Sequence, residues 1–162
     1  MPNPIDAAPV APGPPPAIPL IDLSAPPARV ADQLREACEA WGLFHVTGHG
    51  APEELIEAVH AASAGFFARP RPEKQALSRS RDNPWGYYDR ELTKTRRDRK
   101  EIFDIACHAA SGVAGAPFGD DTPWPAEPRD FRPVLTAYAA ACEGLSLRLL
   151  QVLATTLGLA PE

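Results

Sequence analysis

From Pro27 onward, apolar side chains return every three or four residues: Val30, Leu34, Ala37, Cys38 and Trp41 fall on one side, with Arg35, Glu36 and Glu39 opposite. That period predicts an amphipathic helix, stopped at Gly42. The next stretch, Leu43-Phe-His-Val-Thr47, is aromatic and β-branched, and predicts a buried strand ending in Gly48-His-Gly50. A second helix carries Pro52 in its first turn, with Glu53 and Glu54 near the positive end of its dipole. Leu55, Ile56, Val59, Ser63, Phe66 and Phe67 form its apolar stripe, and it must end before Pro70 and Pro72.

Residues 69–86 are polar and punctuated by Asn83-Pro84, so they predict a loop leading into a short strand at Trp85-Gly-Tyr-Tyr88. Another strand is expected over Glu101–Ala106, with Phe103 and Ile105 on one side and Ile102 and Asp104 on the other. Residues 111–128 are a glycine- and proline-rich loop. A last helix follows Asp130, a good cap, keeps helical spacing from Phe131 through Leu135, Tyr138, Cys142, Leu145 and Leu149 to Leu157, and stops at Gly158. The expected fold class is mixed α and β (α+β), with at least three helices and three or four short strands. So few strands cannot close a sheet, and they call for a partner sheet that these residues do not supply.

Ten of the 20 prolines fall within the first 27 residues, which predicts a disordered proline-rich tail over 1–17 and a domain over 18–162. Within the proline-rich stretch, Ile18-Pro-Leu-Ile-Asp-Leu23 has the form of an edge strand. The 162 residues carry 16 Lys+Arg against 21 Asp+Glu, a net charge of −5, and the isoelectric point is 5.4. Nothing in that balance favours nucleic acid or an anionic membrane. No apolar run is long enough to span a bilayer, and no basic, apolar leader opens the chain, so a cytoplasmic location is expected. Cys38, Cys107 and Cys142 are odd in number and lack Cys-x-x-Cys spacing, so they read as reduced, small core residues.

Candidate chemistry is sparse. A mononuclear metal site on the facial plan needs two histidines and a carboxylate, with a short His-x-Asp/Glu element and a distant second His. His45, His49, His60 and His108 are followed two positions on by Thr, Ala, Ala and Ala. No metal ligand and no catalytic residue is therefore assigned. Nucleophile elbows and phosphate loops are also missing. Lys94, Arg96, Arg97, Arg99 and Lys100 place five positive charges within seven residues. They could hold an anionic group or an acidic partner, or form a solvated loop or edge. Trp85, Tyr87 and Tyr88 could line a ligand pocket or belong to a core.

Several stretches occur together in one order: Ile18–Leu23, the helix through Ala37-Cys38, Trp41–Gly50, Phe66-Phe67 ahead of Pro70 and Lys74, Gly86-Tyr-Tyr88, Lys100–Asp104, Trp124-Pro125 and Leu149-Leu…Leu157-Gly-Leu159. The whole, over about residues 18–160, resembles the N-terminal region of the iron(II)- and 2-oxoglutarate-dependent dioxygenases of the isopenicillin N synthase type. One departure is Gly48, where that family usually has Asn before His-Gly; a small change in turn chemistry is expected.

The resemblance implies an α/β region that packs on a double-stranded β-helix, or jelly roll. In that family the barrel holds iron through His-x-Asp…His and 2-oxoglutarate through Arg-x-Ser, and neither motif occurs in this sequence. It implies Fe(II) and 2-oxoglutarate for a complete enzyme, with neither bound by this chain alone, a C-terminal jelly-roll half as partner and a small-molecule substrate. The position that transfers is Tyr88, which would reach substrate, with Tyr87 or the basic run assisting. The chain is then expected to be the N-terminal domain of such an oxygenase, ending before the barrel and inactive alone. The other reading is a stand-alone binding or regulatory module that docks on a separate barrel chain.

Overall fold

The computed structural model describes residues 17–106 and 122–159. The disordered stretch expected up to residue 17, apart from its last residue, lies outside them, as do Cys107, His108 and most of the 111–128 loop. Four helices and six short strands form among the described residues, and the strands pair as three two-stranded sheets. The chain divides into two units, one of residues up to 49 with those from 151 onward, the other of residues 50–150.

In the first unit, β1 (Leu20–Asp22) runs parallel to β2 (His45–Thr47), with Ile21 opposite Val46. They are joined through α1 (Pro27–Ala40), as a parallel pair requires a crossover. Val30, Leu34 and Ala37, spaced by four and three, are buried together with Ile21. Gly42 takes φ +70 just past the helix and donates its N–H to the Ala37 carbonyl, which is how a glycine ends a helix.

Two expectations fail in this unit. The strand expected over 43–47 to be buried is shorter, and its His45 and Thr47 are exposed. In a two-stranded sheet the side chains alternate, and only those facing a covering layer are buried. Cys38 is exposed rather than in the core, because it lies roughly 80° around the helix from Val30, off the stripe that covers Ile21. Cys142, on α4, is half-buried.

The turn after β2 shows why the departure at Gly48 is tolerated. Its φ of +60 lies in the region that Gly and Asn visit most readily. A Cβ there would meet Asp22 Oδ1 at 2.5 Å. That oxygen is drawn over the turn by the Ser24 hydroxyl (2.7 Å) and the Ser24 N–H (3.0 Å), which also hold the Asp22 carboxyl below its usual range.

The second unit contains α2 (Glu53–Phe67), α3 (Arg71–Gln75), β3 (Gly86–Tyr88), β4 (Leu92–Thr93), β5 (Arg96–Arg97), β6 (Ile102–Asp104) and most of α4 (Phe131–Thr156). Its core joins Ala62 and Phe66 of α2, Tyr87 of β3 and Phe131 at the start of α4, with Phe103 and Trp124 packed against them. Phe66 stacks on Phe131 at 4.7 Å and meets Phe103 edge-on at 4.8 Å. The final helix runs close to the expected bounds, with Gly158 at φ +74 behind it, but only its Phe131 is fully buried, and Leu147 and Leu150, with Leu157 just past its end, are exposed.

The stretch over 69–86 is not wholly loop. Pro70 precedes α3 as its cap residue and Pro72 sits in the first turn, where a missing N–H forfeits no helical bond. The basic run is a solvated edge and loop: Arg96 and Arg97 form one strand of a hairpin, while Lys94 lies in its turn and Arg99 and Lys100 follow without regular structure, all of them exposed. Leu92 pairs with Arg97 and Thr93 with Arg96, around a turn in which Lys94 adopts φ 59. The strand expected over 101–106 contracts to β6, which pairs antiparallel with β3 and sets Tyr87 opposite Phe103.

Candidate functional site

The two candidate tyrosines lie next to each other on β3, and strand alternation sends them to opposite faces. Gly86 ahead of them has φ +109, and a Cβ there would lie 2.4 Å from the Leu77 carbonyl oxygen and 2.7 Å from Pro123 Cγ. Only glycine fits between these groups. The close approach lets Tyr87 donate its N–H to that same Leu77 oxygen at 2.8 Å, while Arg79 N–H donates to the Tyr87 carbonyl at 3.0 Å.

Tyr87 is fully buried, and its hydroxyl donates to Glu101 Oε1 at 2.9 Å. Glu101 Oε2 accepts from the Lys74 ammonium at 2.6 Å, and Lys74 also donates to the Phe67 carbonyl at 2.7 Å. Lys74 is itself buried, so its charge is matched by one carboxylate and one carbonyl dipole. Burial first, then the bond to Glu101, pushes the Tyr87 hydroxyl up to about 12. The Lys74 bond, outweighing partial burial, holds the Glu101 carboxyl below its ordinary range. Tyr87 thus anchors the strand as a neutral hydrogen-bond donor.

Tyr88 is half-buried on the other face. The Arg79 guanidinium lies 3.5 Å from the centre of its ring and is tethered to Asp104 Oδ2 at 3.3 Å. The Tyr88 hydroxyl donates to the Arg90 carbonyl at 3.3 Å, a long bond that leaves it able to change partner. Trp85 is half-buried with its indole N–H buried and unpaired among the described residues.

A second cluster forms at the residue that follows β3. Asp89 is buried and shared by two arginines: Arg71 Nε and Nη2 donate to its Oδ2 at 2.8 and 2.7 Å, and Arg97 Nη2 donates to the same oxygen at 3.2 Å. Arg97 also donates twice to the Asp89 carbonyl. Burial opposes ionisation of Asp89, but the Arg71 bond and the two guanidinium charges prevail and keep its carboxyl below the usual range. Composition and spacing did not single out Asp89 or Arg79. The available signal was alternation, since 87 and 89 share a face and an acid on a buried face needs a partner.

His45 and His60 are exposed, and His49 is half-buried in the turn after β2. Among the described residues no three His, Cys, Asp or Glu side chains gather as a metal site would need. Among them too, no helix is long and apolar enough to cross a membrane.

A family model described as non-haem dioxygenase in morphine synthesis N-terminal matches residues 18–127. Flavonol synthase/flavanone 3-hydroxylase of Arabidopsis thaliana is 34% identical over 149 residues, covering 91% of this chain and 44% of the relative. The crystal structure of JOX2 in complex with 2OG, Fe and JA superposes with a TM-score of 0.73 at 29% identity, over 89% of this chain and 41% of that one. A putative 2OG-Fe(II) oxygenase family protein from Caulobacter crescentus shares the fold, with a TM-score of 0.77 at 22% identity over 90% of this chain and 50% of that one. The chain spans about half the length of such relatives, or somewhat less, and it belongs to the non-haem dioxygenase N-terminal family.

Proposed function

We propose that this chain is the N-terminal domain, from residue 18 onward, of an Fe(II)- and 2-oxoglutarate-dependent oxygenase that oxidises a small molecule in the cytoplasm. It works with a jelly-roll half, in the same polypeptide or in a separate chain, that supplies the iron and 2-oxoglutarate ligands. The observation that carries this reading is the family match over residues 18–127, which includes Gly86, Tyr87 and Tyr88. Iron and 2-oxoglutarate would supply the oxidising power, and the protein's part is to orient the substrate.

In this reading the side chains described here bind and position, and they carry out no redox step. Tyr88 presents its ring edge and hydroxyl to the substrate. Arg79 behind the ring restricts its rotation. Tyr87 assists from the buried face, where its bond to Glu101 fixes the strand that carries Tyr88. Such restriction lowers the entropy lost when substrate is held in a reactive pose.

The test has two arms. Chain incubated alone with Fe(II) and 2-oxoglutarate should form no succinate; turnover by these 162 residues overturns the reading. With a jelly-roll half supplied, Tyr88→Ala should raise KM for the organic substrate and leave KM for 2-oxoglutarate unchanged. Equal effects on both constants would remove Tyr88 from the substrate's surroundings.

A further inference from the structure

The base of the β4–β5 hairpin encloses a shallow pocket of about 350 Å³, to which Arg71, Arg97, Arg99 and Lys100 contribute cations and Asp89, Asp98 and Glu101 contribute carboxylates. The carboxylates are largely committed. Glu101 serves Lys74 and Tyr87. Asp98 accepts from the Thr93 hydroxyl at 2.9 Å and from the Lys100 N–H at 3.3 Å. Lys100 turns to Glu91 at 2.6 Å.

Asp89 then faces two guanidinium groups, and with Asp98, whose bonding partners are neutral, counted against Arg99, the lining keeps one positive charge in excess. Arg71 and Arg97 keep 52% and 53% of their side chains exposed, so each retains donors facing solvent. Arg99 lines the same pocket and forms no ion pair with a carboxylate among the described residues. The surplus is regional as well: residues 90–100 hold six cations and two carboxylates, a net of +4, in a chain whose total is −5.

The hairpin has little else to hold it. Leu92, Thr93, Arg96 and Arg97 are all exposed, so these two-residue strands bury no apolar face and depend on polar contacts for their position. A cluster of planar guanidinium forks around an unbalanced charge matches an oxyanion, which accepts paired N–H donors.

From this geometry we propose that the pocket at the base of the hairpin is an oxyanion-binding site, formed by Arg71, Arg97 and Arg99, that takes the phosphate or carboxylate group of a small molecule. Binding neutralises the excess guanidinium charge and ties Arg99 to the other two, which fixes the hairpin against α3 and the end of β3. The site stands independently of the oxygenase reading, since it needs neither iron nor 2-oxoglutarate.

The test is titration of the 162-residue chain with inorganic phosphate and, separately, with acetate, followed by heteronuclear NMR at constant ionic strength set with chloride. Saturable shifts confined to the pocket are expected with at least one of the two, and which one responds identifies the class of group. Arg99→Ala should weaken that binding about tenfold or more, the effect of losing charge-assisted hydrogen bonds. Arg71→Lys, which keeps the charge and loses the fork, should weaken it less. Lys94→Ala at the hairpin tip, outside the pocket, should leave it unchanged. Unsaturable shifts that follow ionic strength alone, or undiminished binding by Arg99→Ala, overturn the proposal.

Discussion

Lys74 and Glu101 meet at 2.6 Å although 27 residues separate them and the lysine side chain is only 6% exposed. The pair joins α3 to the chain just before β6, and through Tyr87 it reaches β3. Its strength therefore governs whether the strand carrying Tyr88 has a fixed position.

Removing the cation should be costly. Lys74→Ala is expected to lower the unfolding free energy by about 3 kcal/mol, the lower end for a broken buried pair, because a third of the Glu101 side chain meets solvent. Urea unfolding monitored by tryptophan fluorescence measures it. A loss below about 1 kcal/mol would mean that the pair behaves as a surface ion pair.

The same network sets a pH dependence at both ends of the scale. Glu101 is more acidic folded than its ordinary 4.5, so its stabilisation is complete above that value and is lost as pH falls through the lower, folded one. Tyr87 moves the other way, from 10 to about 12, so its contribution is complete below 10 and disappears as pH climbs to about 12. Urea midpoints should fall in both windows. Glu101→Gln should flatten the acid limb, and Tyr87→Phe should reduce the tyrosinate absorbance that develops latest in an alkaline titration. An unchanged acid limb in Glu101→Gln would assign the acid sensitivity to other carboxyls.

Gly86→Ala should displace the strand. The added Cβ would be placed 2.4 Å from the Leu77 oxygen, at a φ of +109 that alanine disfavours. Strain of this kind costs about 2 kcal/mol or more, and the Tyr87 amide should lose protection from hydrogen exchange. Alanine in a random position of a loop would cost far less, and wild-type stability for this variant would refute the close packing described here.

Local pattern alone carried the three long helices, because periodic burial and the stops at Gly42, Pro70 and Gly158 depend on residues within a few turns of one another. It also located the strands around Tyr87 and Phe103, and the ordered set of short motifs indicated the family. What local pattern could not carry were relationships between distant groups. The burial of Lys74 and the sharing of Asp89 by Arg71 and Arg97 rest on partners 8 to 27 residues apart.

The exposure of Cys38 and the bareness of β2 have the same origin, since burial depends on which second layer covers a face. Sequence thus determined the three long helices and the family, as both are written in local spacing. Tertiary structure decided which tyrosine is locked in the core and which lies half-buried under Arg79, because charge pairing and burial are properties of surroundings brought together only by folding.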